Sequence, residues 1–365
     1  MQNFKSFQEL NKFKKEELVD YIKSLKQELG KKAVIAAHHY QNPDIIKFAD
    51  FIGDSYKLAV ESNKTDADFI IFCGVLFMAE GARILSNKEQ KILIPNPHAG
   101  CPLADMADLN MVKKAYNKIK NEINNEIAPV VYINSYADLK SFCGENGGSV
   151  CTSSNAEKII NYYLNLNKSI LFFPDFYLGK NTANKIGIKK ESITLIKKNL
   201  SFETTGNIKE TKIFLWDGFC PIHYNFNISD IINLRKNYPE IKIIVHPECK
   251  EDIVNEADIF GSTEKIYNTI KNSEKGSIWG VGTETTFVER IAMENKDKTI
   301  LPLKTSACKN MVMTTLPYLA SSLQSIKYFL NNKNKSLKYE VNVEKTYKGN
   351  AKISLQKMID IVENQ

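Results

Sequence analysis

The chain has 365 residues, of which 43% are hydrophobic and 25% charged, with a formal net charge of +7. That composition excludes a disordered chain, and the length suits two or three domains with sizeable buried cores. Lysine and asparagine are scattered over the whole sequence, with no basic stripe and no RNA- or DNA-binding motif, so nucleic-acid binding is not expected.

The opening Met-Gln-Asn-Phe-Lys-Ser-Phe-Gln lacks the apolar run of a secretory signal, and no stretch of about 18 apolar residues follows to span a bilayer. A cytoplasmic protein with no membrane partner is expected. Seven cysteines, an odd number spread widely, argue against a disulfide framework and for metal binding or core packing.

Along the chain, Ile-, Val- and Phe-rich runs of strand length alternate with longer helical patterns, which predicts an α/β protein whose parallel sheets are covered by helices in three-layer α/β/α domains. One order of events occurs three times. In the first unit the strand from Ala33 to Ala37 runs into His38-His39-Tyr40, Gly53-Asp54-Ser55 opens a helix, and the strand from Phe69 leads to Gly74-Val75. A last strand, Lys91 to Ile94, ends in Ala99-Gly100-Cys101.

The second unit runs from the strand ending Tyr132-Ile133-Asn134, through Cys151-Thr152-Ser153-Ser154-Asn155, to a strand before Pro174-Asp175 and another ending in Gly218-Phe219-Cys220. In the third, a strand precedes His246-Pro247-Glu248, Gly261-Ser262-Thr263 opens a helix, Trp279 leads into Gly280-Val281-Gly282-Thr283-Glu284, and a last strand ends near Cys308. His38 to Ser55 and His246 to Thr263 are both 17 positions. Tyr132 to Ser153 is 21, the excess being assigned to a Gly-rich surface loop at 144–148, which with the segment around Tyr40 is a candidate lid.

Three domains are therefore expected: 1–105, completed by 309–365; 106–221; and 222–308. Ligands bind beyond the carboxyl ends of parallel strands, so three units about a pseudo-threefold axis aim their strand-end residues and one cysteine each at a common centre.

Thiolates of Cys101, Cys220 and Cys308, each in or near a Gly- or Pro-containing loop, suit a soft metal or an iron-sulfur cluster. Three ligands on a four-iron cube leave one iron open for Lewis-acid dehydration. Cys73, Cys143, Cys151 and Cys249 are read as core packing. The five histidines, His38, His39, His98, His223 and His246, all fall in or beside the repeated motifs. Imidazoles orient carboxylates or move protons near pH 7, and Glu248 lies two residues beyond His246, on the same face of an extended segment; His39 and His98 serve equally well as bland carbonyl partners. Ser55, Ser153 and Thr263 are taken as helix N-caps that together receive an anion, a carboxylate or phosphate.

The strings AHHYQNP from Ala37, GDS from Gly53, GVLFMAE from Gly74, AGCPLADM from Ala99, YIN from Tyr132, CTSSNA from Cys151, GFCPIH from Gly218, HPEC from His246, GST from Gly261 and GTET from Gly282 resemble, in order, the motifs of the quinolinate synthase family, also called quinolinate synthetase A. The resemblance runs from about Lys31 to Leu323. It implies condensation of iminoaspartate with dihydroxyacetone phosphate to quinolinate, phosphate and water in de novo NAD biosynthesis. It further implies one 4Fe-4S cluster on Cys101, Cys220 and Cys308, and a substrate site lined by His38, Ser55, Tyr132, Asn134, Ser153, His246, Glu248 and Thr263. Proton transfer falls to Glu248, Tyr40, Tyr132 and His223, and L-aspartate oxidase is a transient partner.

Two stretches depart from the family pattern. After Cys308 the family carries Met-Lys, where this chain has Met311-Val312-Met313 without that lysine; after Gly282-Thr283-Glu284 it carries a small residue and a histidine, where Thr285-Thr286 stand here. The competing readings are an aconitase-like iron-sulfur hydro-lyase on another small anion, against which Tyr132, Asn134 and the motif order count, and a non-catalytic iron-sulfur sensor, for which the region from Asn331 onward offers no recognisable output domain.

Overall fold

A computed structural model describes residues 4–87, 89–332 and 336–364. Its strands form three sheets, each flanked by helices. The first contains β1 (Ala33–His38), β2 (Phe51–Gly53), β3 (Phe69–Cys73) and β4 (Lys91–Leu93), in the order β2-β1-β3-β4 and all parallel. The second contains β5 (Ile127–Tyr132), β6 (Ser149–Cys151), β7 (Ser169–Phe173), β8 (Ile193–Ile196), β9 (Phe202–Thr204) and β10 (Ile213–Trp216), ordered β6-β5-β7-β10-β8-β9. The third contains β11 (Lys242–Val245), β12 (Ile259–Phe260), β13 (Ile278–Gly282) and β14 (Thr299–Pro302), ordered β12-β11-β13-β14.

The strand sequences explain this class. Phe-Ile-Ile-Phe-Cys of β3 and Ser-Ile-Leu-Phe-Phe of β7 are buried at every position, as strands covered on both faces must be. The threefold pattern extends to the pairing register. His38 pairs with Gly53, Tyr132 with Cys151, and Val245 with Phe260, one step before His246 and Gly261. In each sheet the second strand of the unit lies outside the first, and the third and fourth lie on its other side. The exception is β8 with antiparallel β9, an added hairpin at the edge of the second sheet that the alternation of sequence did not announce.

The four extra residues of the second unit do not make a surface loop. They lengthen a helix, Ala137–Glu145, whose counterparts are Pro43–Ile46 and Glu251–Glu256. Leu139, Phe142 and Cys143 of that helix are buried, and 144–148 is tied down at both ends, by Gly144 and Gly148, while Glu145 and Gly147 are exposed; a stretch so anchored does not suit a lid. A Cβ on Gly144 would sit 1.9 Å from the Asn350 carbonyl oxygen, and one on Gly148 would sit 1.8 Å from that of Pro129.

By internal contacts the chain divides into two units. One comprises the described residues of Met1–Gly100 and Cys308–Val343; the other comprises Cys101–Ala307 and those of Glu344–Gln365. In the first unit Leu18, Ile22 and Leu25 of helix Lys15–Leu29 pack with Leu319 and Leu323 of helix Leu316–Asn331 on one face of the first sheet. Its edge strand is covered by 339–341, where the Ile94 amide donates to Tyr339 at 3.0 Å and the Val341 amide to Ile92 at 2.8 Å.

The second unit holds the other two sheets. Phe226, Ile243, Val245 and Ile253 lie in one buried cluster against the third sheet. The helix Lys345–Glu363 buries Ala351, Ser354, Leu355 and Met358, a stripe of helical spacing, against helix Ala137–Glu145 and the neighbouring β6 and helix Ala156–Asn165. The segment 309–365, expected to complete the first repeat, is therefore shared. Leu316–Asn331 joins the first sheet and Lys345–Glu363 the second, because the latter's apolar stripe meets a surface cleared by Gly144.

Gly144→Ala should thus lower stability by about 1–3 kcal/mol through overpacking and should expose the helix Lys345–Glu363 to protease. A denaturant midpoint equal to wild type would refute this packing account.

Candidate active site

Beyond the carboxyl ends of β5, β10, β11 and β13, five polar side chains of the second unit meet in the interior. The turn after β11 presents Glu248. It is closed by the Cys249 amide donating to the His246 carbonyl at 3.0 Å, and the Asn181 amide donates to the Pro247 and Cys249 carbonyls at 2.8 Å each. Tyr132, the last residue of β5, donates its hydroxyl to Glu248 Oε1. His223 Nδ1 lies 2.8 Å from Oε2, and its Nε2 lies 3.0 Å from Thr283 Oγ1. His246 stacks on His223 with ring centres 4.3 Å apart, and its Nδ1 is 3.9 Å from Glu248 Oε1. None of these five residues is more than 4% exposed.

So dry a setting decides the charges. Burial pushes the Glu248 carboxyl upward, but the charges of His223 and His246 and the hydrogen bonds from His223 and Tyr132 outweigh it and hold the group at about 2. His246 is driven the other way, to about 3, by burial first and by His223 second. Glu248 is therefore a carboxylate facing a neutral His246.

Asp175, just beyond β7, is fully buried; its Oδ1 accepts from the Leu178 amide at 2.7 Å and caps helix Phe176–Lys185, while Oδ2 has no hydrogen-bond partner among the described residues. Burial, reinforced by the Glu248 charge, raises its acid well above the ordinary range. The two carboxyl groups are thus driven in opposite directions, Glu248 toward the ionised form by its charged and hydrogen-bonding partners and Asp175 toward the neutral acid by burial and by the Glu248 charge.

The loop after β5 is tied from below. Lys140, fully buried, donates to the carbonyls of Ile133, at 3.0 Å, and Ser135, and its Nζ lies 3.3 Å from Ser135 Oγ, which itself donates to the Tyr132 carbonyl at 2.8 Å. Between those anchored residues stands Asn134, whose Oδ1 is buried and without a partner among the described residues.

The helix starts differ from expectation. Ser55 and Thr263 are the first residues of their helices, and the capping is done one position earlier, by Asp54 accepting from Lys57 at 3.0 Å and by Ser262 accepting from Lys265 at 3.3 Å. Ser153 lies in a turn ahead of helix Ala156–Asn165, where Asn155 Oδ1 accepts from the Thr152 amide at 2.7 Å. None of the three is an N-cap: at Ser55 and Thr263 the cap falls to the preceding residue, whose backbone is still extended, and Ser153 lies two residues before Asn155, the N-cap of its helix. Ser153 does line a cleft of about 210 Å³ together with Thr182, Lys185, Pro247, Ser262 and Lys265.

In the first unit His38 and Tyr40 are buried at the end of β1, their rings edge to face at 4.7 Å, with the Tyr40 amide 3.2 Å from His38 Nδ1. His39 is buried beside them and its amide donates to the Gly53 carbonyl at 3.1 Å, whereas His98 is exposed.

The cysteines separate by burial. Cys73, Cys143, Cys151 and Cys249 are sealed in the core, while Cys101, Cys220 and Cys308 are partly exposed, each on a loop past the last strand of its sheet. Three cysteines held in partly exposed loops fit a metal or cluster, and the four sealed in the core do not. Burial of its thiol, with Glu248 and Cys101 adding repulsion, raises Cys220 well above the ordinary thiol value. Cys220 Sγ, a His223 nitrogen and a Glu248 oxygen lie within 4.8 Å of one another.

The family model described as Quinolinate synthetase A protein matches residues 20–360. The chain belongs to the quinolinate synthetase A family. Curated relatives bear the name quinolinate synthase. That of Listeria innocua is 43% identical over 318 residues, 86% of each chain; that of Halalkalibacterium halodurans is 39% identical over 348, covering 94% of this chain and 93% of the relative; that of Herpetosiphon aurantiacus is 39% identical over 356, covering 96% and 94%. The chain is accordingly an enzyme of the quinolinate synthetase A family.

Thr283, Asp175 and Lys140 escaped the sequence reading. Thr283 and Asp175 stand in the repeated strand-end strings, a signal that could have flagged them; Lys140 looks like an ordinary helix-face lysine until the loop it anchors is seen.

Two outcomes test this geometry. A carboxyl whose native acidity is weakened contributes stability only below its unfolded value near 4, so Asp175→Asn should be at least as stable as wild type at pH 7, with an advantage that vanishes as pH falls to about 4; equal pH dependence for the two proteins in denaturant titrations would contradict a neutral Asp175. Lys140→Met should cost about 1–3 kcal/mol by stranding carbonyls, and an unchanged unfolding midpoint would show that the ammonium does not hold the loop.

Proposed function

We propose that the enzyme condenses iminoaspartate with dihydroxyacetone phosphate to quinolinate, phosphate and water, in de novo NAD biosynthesis. The observation that carries this reading is the buried chain Tyr132–Glu248–His223–Thr283 in a protein of the quinolinate synthetase A family. A condensation that forms a carbon–carbon bond, closes an imine and sheds water needs an anionic proton acceptor among ordered donors, away from solvent.

Cys101, Cys220 and Cys308 would hold one 4Fe-4S cluster, which when bound would supply Lewis-acid chemistry for loss of a hydroxyl. The protein's own groups do the rest. Glu248, ionised in its dry pocket, accepts protons; the Tyr132 hydroxyl and His223, both hydrogen-bonded to it, return them, and Tyr40 assists. His246, kept neutral, holds substrate through N–H donation and not by charge. His38, Ser55, Ser153 and Thr263 bind carboxylate and phosphate oxygens, with the exposed amides of the helix starts supplying positive potential. Asn134 offers a fixed amide from the loop that Lys140 anchors.

The three repeats at 1–105 with part of 309–365, 106–221 and 222–308 are proposed to be one ancestral unit in triplicate, which the common strand order supports. No helix among the described residues is long and apolar enough to cross a membrane. We place the enzyme in the cytoplasm, with small-molecule substrates and L-aspartate oxidase as a transient supplier of the imine.

Anaerobically reconstituted wild type should form quinolinate from the two substrates. Cys220→Ala should lose iron and activity together, whereas Glu248→Gln should keep its iron and lose roughly 100-fold or more in kcat, the scale of a lost acid–base group. Full activity in Glu248→Gln removes that residue from proton transfer, and wild type that holds iron but makes no quinolinate refutes the assigned reaction.

A further inference from the structure

Cys220 and His223 stand three positions apart around the short helix Pro221–Tyr224, one turn that turns both side chains to the same side. Glu248 reaches that side from the turn after β11, placing a sulfur, a nitrogen and an oxygen within 4.8 Å of one another. We propose that, in the absence of a cluster, Cys220, His223 and Glu248 bind a single thiophilic divalent cation of the zinc class. Nothing in this inference depends on which reaction the enzyme catalyses.

The donor set is the first argument. One thiolate, one imidazole and one carboxylate, with a fourth position left to water, is the composition of open zinc sites, and hard cations such as magnesium or calcium disfavour sulfur. The second argument is how the donors are held. Metal-bound imidazoles have the other ring nitrogen fixed by a hydrogen bond, and His223 Nε2 is 3.0 Å from Thr283 Oγ1, which leaves Nδ1 directed at Glu248 Oε2, 2.8 Å away. The carboxylate is oriented in turn by the Tyr132 hydroxyl on its other oxygen. An incoming cation takes the place of the proton that Nδ1 and Oε2 now share.

Closure by roughly 1 Å brings the three atoms to bonding distance of about 2.0–2.3 Å from a common ion. The turn carrying Glu248 is pinned through Asn181, so the adjustment falls to the Cys220 loop, which is partly exposed. Because Cys220 is also a proposed cluster ligand, the two occupants exclude each other. A chain that has captured zinc has its cluster thiol capped and its central carboxylate and imidazole engaged, and it cannot be loaded with iron until the ion leaves.

The test uses full-length protein stripped of iron under anaerobic, reducing conditions and titrated with cobalt(II), with zinc(II) as competitor. One equivalent of cobalt should bind, giving thiolate-to-cobalt charge transfer and the d–d bands of a four-coordinate ion, and zinc should abolish both. Cys220→Ala should lose the charge-transfer band; His223→Ala and Glu248→Gln should weaken binding by tenfold or more, and Thr283→Val, acting only through His223, by about tenfold. Cys101→Ala and Cys308→Ala should bind cobalt as wild type does. Circular dichroism of each variant separates loss of the site from loss of the fold, and Thr283→Val carries the comparison should His223→Ala not fold. Cobalt affinity that needs Cys101 or Cys308, or that survives His223→Ala and Glu248→Gln unchanged, overturns the proposal, as does wild type that binds none.

Discussion

A carboxylate almost wholly removed from water must be compensated, and the arrangement of the second unit follows from how Glu248 is compensated. Its partners come from separate elements: Tyr132 from the end of β5, His223 from the helix after β10, His246 from its own turn, and Thr283, one step back, from the end of β13. Each arrives at the carboxyl end of a parallel strand, the side on which the connecting loops leave the sheet free of helix. A hydrogen-bond chain across two sheets is thereby built from four short loops and no long insertion.

The chain also sets the chemistry available. With Glu248 held toward the carboxylate, His246 toward the neutral imidazole and Asp175 shifted toward the neutral acid, the interior places acid- and base-leaning groups side by side without reliance on solvent. Opposite environments, and not opposite residue types, separate the two carboxyl groups. The same donors that compensate one negative charge constitute a place where a positive ion is welcome, which is why catalysis and metal capture are read from one set of atoms.

Much of the fold could be read from residues alone. Continuous apolar runs such as Phe69 to Cys73 revealed strands covered on both faces, and the spacing of His38 to Ser55 and His246 to Thr263 reappears as a shared pairing register. Local patterns failed where the outcome depends on distant packing. The stretch 144–148 has loop composition, yet Gly144 is required by the helix Lys345–Glu363, some 200 residues away in sequence, and Gly148 by the backbone of Pro129. The hairpin β8–β9 carries strand-like residues but no repeat partner to give it a place. The caps were displaced by one residue because hydroxyl-bearing and acidic residues adjoin at Asp54-Ser55 and Ser262-Thr263, and only backbone conformation tells which one caps. The meeting of His223 with Glu248 brings together side chains 25 positions apart and had no local signature; the motifs marked both residues without saying that they touch.

The helix Lys345–Glu363 has a bearing on how the molecule is made. The first unit takes residues up to 100 and then 308–343, and the second takes 101–307 and then resumes at 344, so the two are interleaved along the chain. On the ribosome the first cannot finish until 101–307 has emerged, and the second cannot finish until 308–343 has. The sheet of β5 to β10 emerges with the surface around Gly144 bare, and stays so until the last helix follows the whole of the segment that belongs to the other unit. Nascent chains therefore pass through a long interval with apolar surface uncovered, when chaperone occupancy matters most, and a cut after residue 100 separates the first sheet from the helix Leu316–Asn331 that covers it.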